Sequence, residues 1–181
     1  MADCPDFPRR AALKGVAASA ALLLAASLGA CNVRPMYGEL STGATVMDDL
    51  RAIDIEQADD RVEQKVRNEL IFAFTGGGYA SDPRYRLRII LTRLEGDLGV
   101  EKFNDVPAAY MMHMSANFFL LDKETGRQLM TGKSFANTSY DFSTQRFANV
   151  RAKRDAEDRA AKVIADDIRT RIASYFAQRK G

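Results

Sequence analysis

The spacing of apolar residues along this chain alternates between a period of two and a period near four, and the switches mark its elements. Residues 50–56 alternate, with Ile53 and Ile55 on one face, which predicts a short strand. Asp59 and Asp60 follow at a helix start, where acidic groups suit the positive end of the helix dipole. Val62, Val66, Leu70 and Phe74 then recur every four residues, one apolar stripe on a helix. Gly76, Gly77 and Gly78 end it. No strand precedes these glycines and no Lys-Ser/Thr follows, so they predict a helix cap and turn rather than a phosphate loop.

Tyr85, Leu87, Ile89 and Leu91 alternate with Arg84, Arg86, Arg88 and Ile90, a second strand. Residues 96–107 read as a loop or an irregular extension of it. Residues 109–121 form another long strand, apolar on both faces toward its end at Phe118, Phe119, Leu120 and Leu121. Asp122 to Gly126 is a hairpin connection, with Asp opening a type I turn and Gly free to take positive φ. Residues 128–141 return as a strand. From Ser143 the period is helical, with Phe147, Val150, Ala160, Val163, Ile164, Ile168, Ile172 and Phe176 largely on one side. This predicts one long amphipathic helix or two abutting ones. The order is β-α-β-β-β-α. An α+β two-layer sandwich, a four-stranded mixed sheet with two helices on one face, would bury both helical stripes.

The first thirty residues stand outside this scheme. Arg9, Arg10 and Lys14 precede an apolar run over residues 16–28, followed by Leu28-Gly29-Ala30-Cys31. The charged start, short apolar centre and small residues form a secretory signal. The run is too short and alanine-rich for a transmembrane helix, which needs roughly 20 strongly apolar residues. A cysteine directly after Leu-Gly-Ala resembles a bacterial lipobox, in which the thiol is acylated and Cys31 becomes the first residue. The bland alternative is an ordinary signal peptide whose cut site happens to precede a cysteine. Arg9 and Arg10 with Leu13 and Lys14 also resemble a twin-arginine signal, although a generic basic segment is the simpler account. Asn32 stands where an Asp would resemble an inner-membrane retention signal, which leans the reading toward the outer membrane. Residues 1–30 are thus expected to be removed, 31–47 to form a lipidated tether broken by Pro35, Gly38 and Gly43, and 48–181 to form one α+β domain.

The only other cysteine, Cys4, lies in the removed part, so an acylated Cys31 leaves neither a free thiol nor a disulfide. Each buried methylene of an acyl chain contributes roughly 0.8 kcal/mol, and several chains make the attachment firm where one is marginal. Removal takes three basic residues (Arg9, Arg10, Lys14) and two acidic ones (Asp3, Asp6) and leaves 151 residues with 23 basic against 22 acidic. That is enough chain for one domain with a core. Its net charge of +1 gives no field to attract nucleic acid.

Little catalytic chemistry is encoded. His113, the single histidine, sits mid-strand on the face shared with Met111, Ser115 and Asn117 and reads as a half-buried structural residue. Asp59/Asp60 and Asp166/Asp167 are helix neighbours about 100° apart and do not converge on one substrate. With one histidine and no spare cysteine, neither a metal site nor a cofactor is expected, and no motif argues for an enzyme. Arg84, Arg86 and Arg88 alternate and would share one face, roughly 7 Å apart in succession. They are either a solvated face that discourages edge aggregation or contacts to an anionic ligand or acidic partner, for which the guanidinium fork suits phosphate. Two helices can cover only one side of the sheet. The other side would expose Ile90, Met111, Phe119 and Leu121 among polar groups, a surface of the kind that marks binding sites.

The start Cys31-Asn-Val-Arg-Pro35-Met-Tyr37-Gly38 resembles the lipidated N-terminus of the lipopolysaccharide-assembly lipoprotein family, LptE. So do Leu98-Gly99-Val100, Asp122-x-x-Thr125-Gly126, Ser139-Tyr140-Asp141, Phe147-Ala148-Asn149, Asp155-Ala-Glu-Asp-Arg159-Ala-Ala161 and Ala165-Asp-Asp167-Ile168-Arg169, in the manner of its alphaproteobacterial branch. Asn32 and Met36 depart from its usual residues, and neither blocks lipidation. The resemblance implies two helices on a four-stranded sheet and a role in placing lipopolysaccharide in the outer leaflet of the outer membrane. It implies a periplasm-facing tether, a plug position inside the large β-barrel LptD, help in folding that barrel, and binding of lipopolysaccharide, whose lipid A phosphates Arg86 and Arg88 could meet. An auxiliary lipoprotein of a lipid-transport ABC system and a purely structural envelope lipoprotein are the rival expectations.

Overall fold

The computed structural model describes residues 46–100 and 107–180. The signal, Cys31 and nearly all of the tether lie outside the described residues. The order is α1 (Val46–Arg51), β1 (Ile53–Ile55), α2 (Arg61–Thr75), β2 (Tyr85–Val100), β3 (Pro107–Asp122), β4 (Gln128–Asp141) and α3 (Arg146–Lys180). The strands form one sheet in the order β1-β2-β3-β4. β1 runs parallel to β2, with Ile53 opposite Tyr85, and α2 is the crossover between them. The other pairs are antiparallel. The α+β architecture with a four-stranded mixed sheet is as the sequence pattern predicts.

α2 forms where the local signals agree. The Asp60 carboxylate accepts hydrogen bonds from the amides of Val62 and Glu63 at 2.8 and 2.9 Å, satisfying donors that the first turn leaves free. Val62, Val66, Leu70 and Phe74 are all buried. Gly76 closes the helix at φ +77°, its amide donating to the Phe72 carbonyl at 2.9 Å. The β3–β4 turn is equally local. The Asp122 side chain accepts from the Thr125 amide and hydroxyl at 2.9 and 2.8 Å, and Gly126 takes φ +66°.

Two expectations are corrected and one open alternative is resolved. The first strand is only Ile53–Ile55, because Leu50 belongs to a third, short helix, α1. Val46 and Leu50 lie one helical turn apart and both drop into the core, which outweighs the alternation of the segment. Val46 and Met47, read as tether, are the first turn of that helix. Second, of the loop and strand-extension alternatives for residues 96–107, residues 96–100 take the strand extension, since β2 stays paired with β3 out to Val100 opposite Pro107. Third, α3 is one helix of 35 residues, about 52 Å long, and its apolar stripe does not run its whole length. Ala156, Ala160, Ile164, Ile168, Ile172 and Phe176 are buried, but Phe147, Val150 and Val163 are exposed.

The core lies between the helices and the inner face of the sheet. Leu87, Met112, Met114, Ala116, Phe118 and Leu120 point inward against the α2 stripe and α3. Five buried alanines on α3, among them Ala160, Ala161 and Ala165, allow close approach of that helix. Gly132 is required by a close approach within the sheet, where the Phe118 ring of the neighbouring strand lies over it. A Cβ there would stand 2.5 Å from Phe118 Cζ.

Candidate functional site

With all three helices on one side, the opposite face of the sheet is uncovered by any described residue. The register orders it in rows. Arg86 stands opposite Leu121, then Arg88 with Phe119 and Thr131, Ile90 with Asn117 and Lys133, Thr92 with Ser115 and Phe135, and Leu94 with His113 and Asn137. Arg86 and Arg88 therefore mark one end beside Leu121 and Phe119, Lys133 shares the middle row with Ile90, and Phe135 and Leu94 stand toward the far end. Ile90, Leu94 and Phe135 are 50%, 64% and 61% exposed, and Met111 and Leu98 extend the apolar end. Solvent-facing hydrophobics this dense are unusual for a surface with no binding role.

The three sequence-predicted arginines separate in the structure. Arg84 precedes β2, and its guanidinium turns to the buried Asp49 of α1 at 3.0 Å and lies over the Tyr85 ring, 5.5 Å from the centroid. Arg88 is on the open face and is held by both carboxylate oxygens of Glu56 at 2.9 and 3.2 Å, which raises its already high pKa. Arg86 stands opposite Asp54 in the β1–β2 pair, but its side chain makes no hydrogen bond or ion pair among the described residues. The side chain of Lys133, two rows away, is likewise unengaged among the described residues. Lys133, Leu94 and Phe135 were not anticipated, although extending the alternation of β4 across the hairpin would have placed Thr131, Lys133, Phe135 and Asn137 on one face.

His113 is exposed on this face rather than half-buried, and its Nδ1 pairs with the Asn137 carbonyl oxygen. The ring is held by a neutral amide rather than by an orienting carboxylate, the arrangement that nucleophilic catalysis uses. At the edge of the face a cleft of about 260 Å³ opens where β1 stops and β2 continues. The Glu56–Arg88 ion pair lies on its rim, and Val66, Ile89 and Leu91 line its wall. On the inner side of β2, Glu95 accepts from the Tyr140 hydroxyl and Lys153. Burial pushes the Glu95 carboxyl up, but Lys153 and Tyr140 outweigh it and the net shift is downward. Burial and then Glu95 push the Tyr140 hydroxyl up in turn. This network ties α3 to the sheet and is structural. Among the described residues no cluster of histidine, cysteine or carboxylates could hold a metal ion, and no helix is long and apolar enough to cross a membrane.

The fold recurs in solved lipoproteins. A candidate lipoprotein of Caulobacter crescentus CB15 matches with a TM-score of 0.63 at 23% identity, covering 75% of this chain and 98% of that one. The rare lipoprotein B of Shewanella oneidensis matches with a TM-score of 0.55 at 14% identity, covering 71% and 97%. The uncharacterized lipoprotein B of Nitrosomonas europaea matches with 0.51 at 13%, covering 69% and 82%. These likenesses concern the fold alone. No curated protein matches the sequence. The family model described as LptE, lipopolysaccharide-assembly, matches residues 50–172, from the end of α1 to the last turns of α3. The chain is therefore a member of the LptE family of lipopolysaccharide-assembly lipoproteins.

Proposed function

We propose that this protein is the outer-membrane lipoprotein of the lipopolysaccharide translocon, anchored through Cys31, seated as plug and assembly partner in the β-barrel LptD, and contacting lipopolysaccharide through the open face. The observation that carries the ligand reading is the order of groups on that face. Arg86 and Arg88 stand at one end, Lys133 shares the next row with Ile90, and Phe135 and Leu94 follow along the strands. Lipopolysaccharide has the same order, phosphates on a glucosamine head followed by acyl chains. Arginine forks suit the phosphates, and an exposed apolar strip suits the chains. Family membership supports lipopolysaccharide assembly in general, and Asn32 after the lipidated cysteine supports the outer membrane. The protein is read as a binding and scaffolding component and not as an enzyme.

The test is binding of purified lipopolysaccharide to the double variant Arg86→Glu, Lys133→Glu. Binding should weaken at least tenfold, on the order of 1.4 kcal/mol, with the melting temperature unchanged. Unchanged binding would remove the open face from the mechanism. Affinity purification from detergent-solubilised outer membranes tests the partner. A large β-barrel at near-equal stoichiometry supports the plug role, and an inner-membrane ABC transporter would replace it.

A further inference from the structure

We infer that the first three turns of α3 present a second, separate docking surface, which seats on an anionic lipid bilayer. Around the helix, Phe147, Val150, Arg151 and Arg154 fall within an arc of about 100°. All four are exposed, Phe147 to 88% and Val150 to 47%. The opposite arc, Asn149, Ala152, Lys153 and Ala156, carries what little burial this segment has. The outward face is thus a short basic amphipathic surface of the kind that lies in a membrane interface, apolar groups inserted and cations at the headgroups.

The residues here work against the helix. From Phe142 to Arg154 the chain carries Arg146, Arg151, Lys153 and Arg154 and no acid. Cations beside a helix N-terminus oppose its dipole, and the first turn contains no compensating carboxylate. α2, by contrast, starts with Asp60 and Glu63 in the favourable places. A segment that breaks the local rules while exposing an aromatic ring is expected to serve contact rather than stability. The segment is held firmly. The Asn149 side chain donates to the Ser143 carbonyl and accepts from its amide, both at 2.7 Å, so the turn into the helix is pinned.

Charge and reach identify the occupant. Arg146, Arg151 and Arg154 have no ion-pair partner among the described residues. The neighbouring acids are taken, Glu95 by Lys153 and Asp155 by Arg159, or stand elsewhere. Asp141 is on the open face of the sheet, and Asp97 on the inner side of β2 forms no ion pair with them. A convex face with one ring and flexible cations suits a deformable anionic surface better than a protein partner, whose anchors need pockets. α1 packs near the far end of α3, where Tyr85 meets Phe176. From there to Arg146 is about 45 Å of helix, while the 15 residues from Cys31 to Val46 can extend to about 50 Å. A chain anchored at Cys31 can therefore bring the start of α3 to its own membrane. The inference rests on the anchor reading at that point.

The chain has no tryptophan, so Phe147→Trp installs a single reporter. The full lipoprotein carrying it would be reconstituted in vesicles of phosphatidylcholine alone or with phosphatidylglycerol. With phosphatidylglycerol, the emission should shift to the blue and be quenched by brominated lipid. Both effects should vanish in phosphatidylcholine and in about 1 M salt, where the Debye length is near 3 Å. Arg146→Glu, Arg151→Glu and Arg154→Glu together should reduce quenching roughly tenfold and leave the melting temperature equal or higher, since acids suit this end of the helix. Tyr79→Trp, exposed near the opposite end, should be quenched in neither vesicle. Equal exposure of the introduced indole in both vesicles, or quenching that survives charge reversal, overturns the inference. So does protection of that indole only by a co-purified protein. Flotation with phosphatidylcholine vesicles reports the anchor independently. If that fails, binding to phosphatidylglycerol vesicles that charge reversal abolishes still decides the docking surface.

Discussion

The two faces of the sheet are made by alternate residues of the same strands, and they have opposite characters. Phe118 and Phe119 are adjacent on β3. Phe118 is fully buried among the helices, while Phe119 stands between Arg88 and Thr131 on the open side. The inner face is apolar, closely packed and intolerant of a single added carbon at Gly132. The outer face mixes arginine, lysine, histidine and exposed hydrophobics, and nothing described covers it. One face holds the fold together, and the other is left to meet something else.

That contrast is sharpest in the response to mutation. Phe118→Ala should cost about 3–5 kcal/mol through lost burial and a cavity, measured by denaturant unfolding, whereas Phe135→Ser on the outer face should stay within about 0.5 kcal/mol. A cost for Phe135→Ser similar to that of Phe118→Ala would mean that the outer face is packed after all. Next in size is Gly132→Ala, which should lose about 1–3 kcal/mol because the new methyl drives the Phe118 ring out of its place. Removing the α2 cap with Asp60→Ala should cost about 1 kcal/mol.

Asp60 also carries a pH signature. Burial raises its pKa, but the Glu63 amide, the Arg93 charge and the Val62 amide outweigh this and hold the net value below the ordinary 3.8. A carboxyl whose folded pKa is depressed binds fewer protons folded than unfolded, so its contribution is complete above 3.8 and is lost as pH falls through the folded value. The melting temperature of Asp60→Asn should therefore approach that of the native chain on acidification below pH 4, the gap being widest at neutral pH. A gap independent of pH would assign the effect to cap geometry alone. The smallest stability effect is expected from Lys133→Glu, below about 0.5 kcal/mol, with a clear loss of lipopolysaccharide binding.

The elements were readable in the chain wherever local chemistry and periodicity agreed. The α2 stripe, its Asp60 and Gly76 caps, the Asp122–Gly126 turn and the strand at residues 128–141 all follow from neighbours within a few positions. The open face was legible in part. Alternation gave Ile90, Met111 and Phe119, but Lys133, Leu94 and Phe135 join them only through the register of three strands. Arg84 left the predicted row because of Asp49, thirty-five positions earlier in the chain. His113 was misread as half-buried because exposure of a mid-strand residue depends on which side the helices take.

What the sequence by itself determined is six of the seven elements, the class of fold, the lipobox-like start and the family, since each rests on short-range spacing or on motifs in order. Tertiary structure decided the rest. It drew Val46 and Leu50 into a helix where alternation suggested a strand, because burying two side chains outweighs a weak local preference. It set which part of the α3 stripe the core covers, burying Ala160, Ile164, Ile168, Ile172 and Phe176 and leaving Phe147 and Val150 in solvent. It also chose which of three like arginines remained unpaired, since pairing depends on carboxylates that only folding brings near.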